Sequence, residues 1–171
     1  QNVLSDVFAS FSIYFDKPFK VGDTIQVGKD TGTVKRIGIK TTRLQSVQGE
    51  ELIISNKELT ETRINNFKRM EKRRAVFTLG VTYQTSHEKL EKIPHIMNEI
   101  FAKAEHATLE RVHFKSFGEF ALIYEIVYFV KSGDYNKYMD IQQKVNLEVV
   151  KRFEKEKIKF AYPTQTIFLQ K

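Results

Sequence analysis

"DKPFKVGDTIQV", residues 16–27, divides two stretches of unlike character. Before it, "QNVLSDVFASFSIYF" (1–15) is apolar almost all round when read as a helix: Val3, Leu4, Val7, Phe8, Phe11, Ile13, Tyr14 and Phe15, with Ser5, Ala9, Ser10 and Ser12 between them. Such a helix is roughly 22 Å long at about 1.5 Å per residue. A membrane-spanning helix needs about 20 residues. The segment therefore reads as the end of a cut membrane helix or as an interfacial one, with a core helix of the first domain as the plain alternative. Pro18 disfavours a helical conformation at Lys17 and ends the helix there, and Gly22-Asp23 is a turn signal. Lys17 and Lys20 suit a lipid headgroup region, where their stems stay apolar and their ammonium groups reach water and phosphate. The stretch reads as a border between bilayer and cytoplasm.

Downstream, residues 21–67 alternate short strand patterns with turns. "TIQV" (24–27), "TGTVKRIGIK" (31–40), "TTRLQSV" (41–47) and "ELIIS" (51–55) are rich in β-branched residues. Five of the eight glycines fall between 22 and 49, so turns are closely spaced, as in a small β-barrel. "NNFKRMEKRR" (65–74) follows, the most basic stretch, read as a linker or a solvated strand edge.

From residue 74 to 162 the rhythm changes. "AVFTLGVTY" (75–83) is a strand. "SHEKLEKIPHIMNEIFAKAEH" (86–106) places Leu90, Ile93, Met97, Ile100, Phe101 and Ala104 on one helical face. Pro94 either kinks that helix or marks its start. "TLERVHFKSFG" (108–118) and "EFALIYEIVYFV" (119–130) are strands joined at Gly118. "DYNKYMDIQQKVNLEVVKRFEKEK" (134–157) is a helix with Asp134 as N-cap and a buried stripe through Ile141, Val145, Val149 and Phe153. "IKFAY" (158–162) is a closing strand. The order β-α-β-β-α-β is the split, ferredoxin-like arrangement. Pro163 then punctuates, and "TQTIFLQK" (164–171) is an extended tail too apolar for a free terminus, a sign of assembly with other chains.

The net charge of +7 favours anionic partners, and the absence of cysteine excludes disulfides and thiolate metal sites. The chain begins with Gln1, which reads as a fragment or a processed product, and no signal-peptide pattern is visible. Enzyme signals are poor. His87, His95, His106 and His113 have no metal-ligand spacing, and no phosphate-binding glycine loop occurs. Glu50 and Glu51 are adjacent on a turn, pointing apart. No catalytic, cofactor-binding or metal residue is assigned, and no cofactor is expected. The alternative from a different class is a basic RNA-binding protein built from an Sm-like barrel and a ferredoxin-like domain. "KSFGEFALIY" (115–124) faintly echoes the aromatic strand of RNA-recognition motifs. Ser116 stands where glycine is wanted, however, and Glu119 would put an anion near the stacking platform. The plainer reading is that Phe114, Phe117, Phe120 and Tyr124 partly fill the sheet–helix core.

Taken in order, the motifs resemble the small-conductance mechanosensitive channel (MscS) family over nearly the whole chain. Residues 1–23 resemble the end of that family's pore helix and its membrane-exit motif, R-P-F-R-V-G-D, with Lys17 and Lys20 in place of the arginines. "GTVKRIGIKTTRL" (32–44) and "GEELIISNKELTETRINNFKR" (49–69) resemble its β-domain signature, with Ser55 where many members have proline. "RRAVFTLGVTYQT" (73–85) and "FAYPTQT" (160–166) resemble the start and end of its α/β domain. The resemblance implies a mixed α and β fold in four parts: the C-terminal part of a pore-lining apolar helix (1–16), an SH3/Sm-like β-barrel (17–72), a ferredoxin-like domain (73–162) and an axial strand (163–171).

It further implies the cytoplasmic portion of a tension-gated channel in the cell (inner) membrane that releases ions and small solutes under hypo-osmotic stress. The expected partners are further copies in a ring of seven, membrane lipid and permeating ions, with no nucleic acid. Asn2 stands where the family's pore helix bends at glycine. Asp6, in the helix after it, is expected to face a β domain. Lys17, Pro18, Lys20, Gly22 and Asp23 form the membrane-interface joint, and Thr166, Ile167, Phe168 and Leu169 the axial strand.

Overall fold

The computed structural model describes residues 3–169 and divides into two compact units, Gln1–Met70 and Glu71–Lys171. In the first unit, helix α1 (Val3–Asp16) precedes strands β1 (Thr24–Val27), β2 (Asp30–Ile37), β3 (Thr41–Ser46) and β4 (Glu51–Ser55), helix α2 (Asn56–Glu61), strand β5 (Ile64–Asn66) and a 3-10 turn, Phe67–Arg69. The strands form one antiparallel sheet in the order β4-β3-β2-β1-β5. Among the described residues no ladder joins β4 to β5, so the expected barrel is, in its hydrogen bonding, an open five-stranded sheet. Period-2 alternation sends Ile25, Val27, Val34, Leu44 and Ile54 into one core, where they meet Leu59 of α2 and Ile13 and Phe19 from the N-terminal segment. Gly32 lets β2 lie close to β3, because a Cβ there would sit 2.8 Å from the Gln45 carbonyl oxygen.

Among the described residues, the segment read as apolar almost all round is a helix with two unlike sides. α1 has 14 residues, and no helix among the described residues is long and apolar enough to cross a membrane. α1 is amphipathic instead. Ala9 and Ile13 are buried, while Leu4, Phe8, Phe11, Tyr14 and Phe15 are exposed.

The second unit comprises β6 (Arg73–Val81), α3 (His87–Ala102), β7 (Ala107–Phe117), β8 (Leu122–Val130) and α4 (Tyr135–Glu156), with an antiparallel sheet ordered β6-β8-β7. Leu122, Tyr124, Ile126, Tyr128 and Val130 of β8 alternate onto one face and share a core with Ile93, Ile96, Met97, Ile100 and Phe101 of α3 and the Ile141–Val145–Val149–Phe153 stripe of α4. Asp134 caps α4 by accepting from the N–H groups of Asn136 (2.8 Å) and Lys137 (3.3 Å).

Pro94 lies inside α3 and does not start it. It has no N–H to offer the carbonyl of Leu90, one turn back. The buried hydroxyl of Tyr124 donates to that carbonyl at 2.8 Å and replaces the missing bond. A second buried tyrosine is also satisfied: Tyr128 donates to Gln142 Oε1 (2.7 Å), whose amide donates to Asn146 Oδ1 (2.8 Å). Burial pushes the Tyr128 hydroxyl pKa up.

The fourth strand of the ferredoxin-like arrangement contracts to a single bridge, Val81↔Phe160, flanked by Thr82 N–H to Lys159 O (3.1 Å) and Ala161 N–H to Gly80 O (2.8 Å). Ile158 is turned into the core and Pro163 has no N–H to donate, so only a short run can lie along β6. From residue 163 to 169 the chain has no regular secondary structure, and Ile167, Phe168 and Leu169 are exposed.

The aromatic run that echoes RNA-recognition motifs does not lie in a single strand. Phe117 ends β7, Gly118 sits in the turn (N–H to Ala121 O, 2.7 Å), and Tyr124 is buried on β8. The plainer reading holds only in part, because Phe117 is 75% exposed.

Candidate functional site

The site is the joint in the first unit between α1 and the β sheet. α1 ends as the proline requires: Lys17 takes a left-handed conformation (φ 46°) and its N–H donates to Ile13 O at 3.0 Å, closing the last turn. Pro18 follows, and Phe19 drops into the core. Lys20–Asp23 is a tight turn with Gly22 at φ 93°, a backbone angle that suits glycine. The Asp23 N–H donates to Lys20 O (3.0 Å), and the Lys20 N–H donates to Asp23 Oδ2 (3.0 Å). Gly22 N–H and Asp23 O then enter the sheet through Val34 O and Val34 N–H, both at 2.8 Å.

Residues from the far end of the unit clasp this loop. Asn66 Nδ2 donates to Pro18 O (3.1 Å) and to the buried carboxylate of Asp23 (2.9 Å), while its Oδ1 accepts from Lys68 N–H (3.0 Å). The Arg69 guanidinium donates to Lys17 O. Lys17 Nζ lies 5.9 Å from the Tyr14 ring centroid, on the aromatic side of α1.

A second clasp holds the middle of the helix. Asn56 is fully buried at the start of α2. Its N–H donates to Lys40 O (2.8 Å), its Nδ2 donates to Gly38 O (2.7 Å) and Ser10 Oγ (3.0 Å), and its Oδ1 accepts from the buried Thr42 hydroxyl (2.8 Å). The Ser10 hydroxyl in turn is directed at Ile39 O, with Asp6 O as a second acceptor at 3.1 Å. Ser55 caps α2 by accepting from Glu58 N–H (3.1 Å).

Lys17, Pro18, Lys20, Gly22 and Asp23 thus come together. Asn2 lies outside the described residues. Asp6 is half-buried and contributes its backbone carbonyl, while the side chain bridging α1 to the sheet is that of Ser10. Thr166–Leu169 lie in the exposed tail of the second unit. Sequence reasoning missed Ser10, Asn56, Asn66 and Arg69 as contact residues. The last three stand inside the "ISN" and "INNFKR" motifs, which were noted without a role.

The basic stretch is used internally in part: Arg69 as above, Arg73 between the rings of Tyr135 and Tyr138 (5.5 and 5.6 Å) and bonded to Gly133 O (3.1 Å), and Arg74 paired with Glu110 (3.0 Å). In the second unit, Lys115 and Arg111 grip the Glu125 carboxylate and hold its pKa down at about 2.

Two family models match the chain: the mechanosensitive ion channel β-domain over residues 2–69 and the mechanosensitive ion channel MscS C-terminal domain over residues 75–160. The small-conductance mechanosensitive channel MscMJ of Methanocaldococcus jannaschii is 35% identical across the whole of this chain, which covers 49% of that relative. The large-conductance channel MscMJLR of the same organism is 34% identical, again with 49% of its length covered. The chain thus spans about half the length of these curated relatives. Among solved structures, Arabidopsis thaliana MSL1 A320V superposes with a TM-score of 0.75 at 25% identity, covering 95% of this chain and 62% of that one. Helicobacter pylori MscS in its closed state superposes at 0.78 with 19% identity, covering 98% and 66%, a likeness of fold. With both domain models matched in order and the curated relatives being mechanosensitive channels, the chain belongs to the MscS family of mechanosensitive ion channels.

Proposed function

We propose that this chain is the cytoplasmic portion of a membrane-tension-gated channel that releases ions and small solutes under hypo-osmotic stress. The observation that supports it is the double clasp: a short helix at the membrane end of the chain is fastened to a β sheet at Ser10 and again at Lys17. Tension favours the channel state with the larger in-plane area. A helix fastened in this way passes a change of tilt to the sheet, and dewetted apolar rings open when the pore widens.

In the whole protein, residues 1–16 continue the pore-lining helix, and Asp6 faces the β domain. Lys17, Pro18, Lys20, Gly22 and Asp23 form the joint at the inner membrane surface, and residues 17–72 form a collar. Residues 73–162 enclose a vestibule, and Thr166, Ile167, Phe168 and Leu169 pair with their copies on the axis. A ring of seven closes through head-to-tail interfaces.

Patch-clamp recording of the full-length parent under stepped suction, in cells lacking their own channels of this type, tests the reading. Stepwise currents that appear only under tension are expected. An inserted parent that stays silent would overturn it.

A further inference from the structure

We infer that one end of the three-stranded sheet in the second unit holds a binding site for a phosphate group, built from Lys72, Lys131, Thr108 and Phe129. The site is independent of the channel reading. β6 and β8 are antiparallel, with Arg73 opposite Val130 and Arg74 opposite Phe129, and Thr108 of β7 lies on the other side of Phe129. One step beyond the Arg73–Val130 pair, Lys72 stands opposite Lys131, whose N–H donates to His106 O (2.9 Å) and so stays in line with β7. Tyr128 and Val130 point into the core shared with the two helices. By alternation, Phe129 and Lys131 occupy the outer face, together with Lys72, Arg74 and Thr108.

Charge on this face points to the ligand. Its other cations are each answered by a carboxylate: Arg74 by Glu110 (3.0 Å), Arg111 by Glu125 (2.6 Å) and Lys115 by the second oxygen of Glu125. Lys72 and Lys131 are exposed, and among the described residues neither has a carboxylate within ion-pair distance. Like charges directly opposite each other on one face of a sheet are destabilising, so an anion between them is what this end of the face lacks. A phosphate group, with a charge of about −1.5 to −2 at pH 7, matches two ammoniums. The four residues line a notch of about 150 Å³. That is room for roughly five waters at about 30 Å³ each, and half the roughly 300 Å³ of the smallest drug-sized pockets. It suits a phosphate group and not a whole nucleotide. The Thr108 hydroxyl supplies a neutral donor. The half-buried Phe129 ring keeps water from one side of the ion and so strengthens its attraction to the lysines. The site also gives a role to Lys72, the member of the basic stretch that the internal contacts of Arg69, Arg73 and Arg74 leave over.

The test is equilibrium dialysis of the 171-residue chain against radiolabelled orthophosphate, and separately against glycerol phosphate, with sodium chloride holding the ionic strength constant. Saturable binding of one phosphate per chain is expected. Orthophosphate alone would identify a free ion, and glycerol phosphate bound as well or better would identify the terminal group of a small ester. Lys72→Gln and Lys131→Gln should each weaken binding about five-fold, and the double variant should remove it while circular dichroism stays unchanged. Lys144→Gln, at an exposed position of α4, should leave it unaltered. In chloride alone Lys131→Gln should melt no lower than the unaltered chain, because it removes one of two opposed like charges. Phosphate should then raise the melting temperature of the unaltered chain and not that of the double variant. Binding of neither phosphate, equal losses from Lys144→Gln and Lys131→Gln, or a lower melting temperature for Lys131→Gln in chloride would each overturn the inference.

Discussion

The two units hold themselves together by different means. In the second, one apolar core joins two long helices to a three-stranded sheet, and polar groups enter it mainly as tyrosine hydroxyls whose partners are close at hand. In the first, the sheet core is smaller, and segments distant in sequence are tied by side-chain hydrogen bonds: Ser10 to Asn56, Pro18 and Asp23 to Asn66, Lys17 to Arg69. The difference teaches how stability and motion are distributed. Apolar burial is non-directional and tolerates small shifts, whereas a hydrogen-bond clasp is either made or lost. On the proposed channel reading, clasps at defined points suit a unit that follows a moving helix, and a continuous core suits a unit that forms a wall.

The largest effect should come from the core of the second unit. Phe153→Ala removes a fully buried ring stacked on Phe160 at 5.0 Å and should cost about 3–5 kcal/mol in urea unfolding. A loss below 1 kcal/mol would mean that the core of the second unit is not continuous through α4. Next comes Asn56→Ala, which strands the buried Thr42 hydroxyl, removes the donor to the half-buried Gly38 carbonyl and frees Ser10. About 2–3 kcal/mol is expected, confined to the first unit. Hydrogen exchange that speeds up in β6–β8 as well would contradict the division of labour drawn above.

Tyr124→Phe keeps the ring and orphans the Leu90 carbonyl, for about 1–2 kcal/mol. Faster exchange centred on the turn around Pro94 is the signature; an unchanged α3 would show that water replaces the hydroxyl. The smallest effect is electrostatic. Lys115 and Arg111 hold Glu125 down at about pKa 2, against 4.5 unperturbed. Its folded pKa is depressed, so the contribution is fully present above pH 4.5 and is lost as pH falls through about 2. Acid titrations of the parent and of Glu125→Gln should therefore converge toward the low end of that window. Curves that stay parallel from pH 7 to 2 would remove Glu125 from the account.

Much of this was legible in the linear chain. The 3.6-residue stripes of α3 and α4, the cap at Asp134 and the turn glycines state their structures locally, because helix faces, caps and positive backbone angles are properties of neighbours in sequence. The end of α1 at Lys17 is likewise the work of Pro18 alone. What needed tertiary structure was pairing across distance. The barrel was expected from closely spaced turns, but closure depends on whether two edge strands meet, which no turn encodes. The fourth strand was expected from "IKFAY", yet its length is set by where Ile158 finds the core.

Pro94 was ambiguous because its rescue comes from Tyr124, thirty-four residues from Leu90. The apolar character of residues 1–16 was equally open to two readings. Composition counts apolar residues, and only packing divides them into Ala9 and Ile13 against the sheet and Leu4, three phenylalanines and one tyrosine outside it. The sequence by itself determined where this chain turns, stops and alternates, since those depend on a few adjacent dihedrals. The tertiary structure decided which distant amide answers which carbonyl, and so that the joint is held at Ser10 and Lys17, because a hydrogen bond is directional and forms only where folding brings its two ends within about 3 Å.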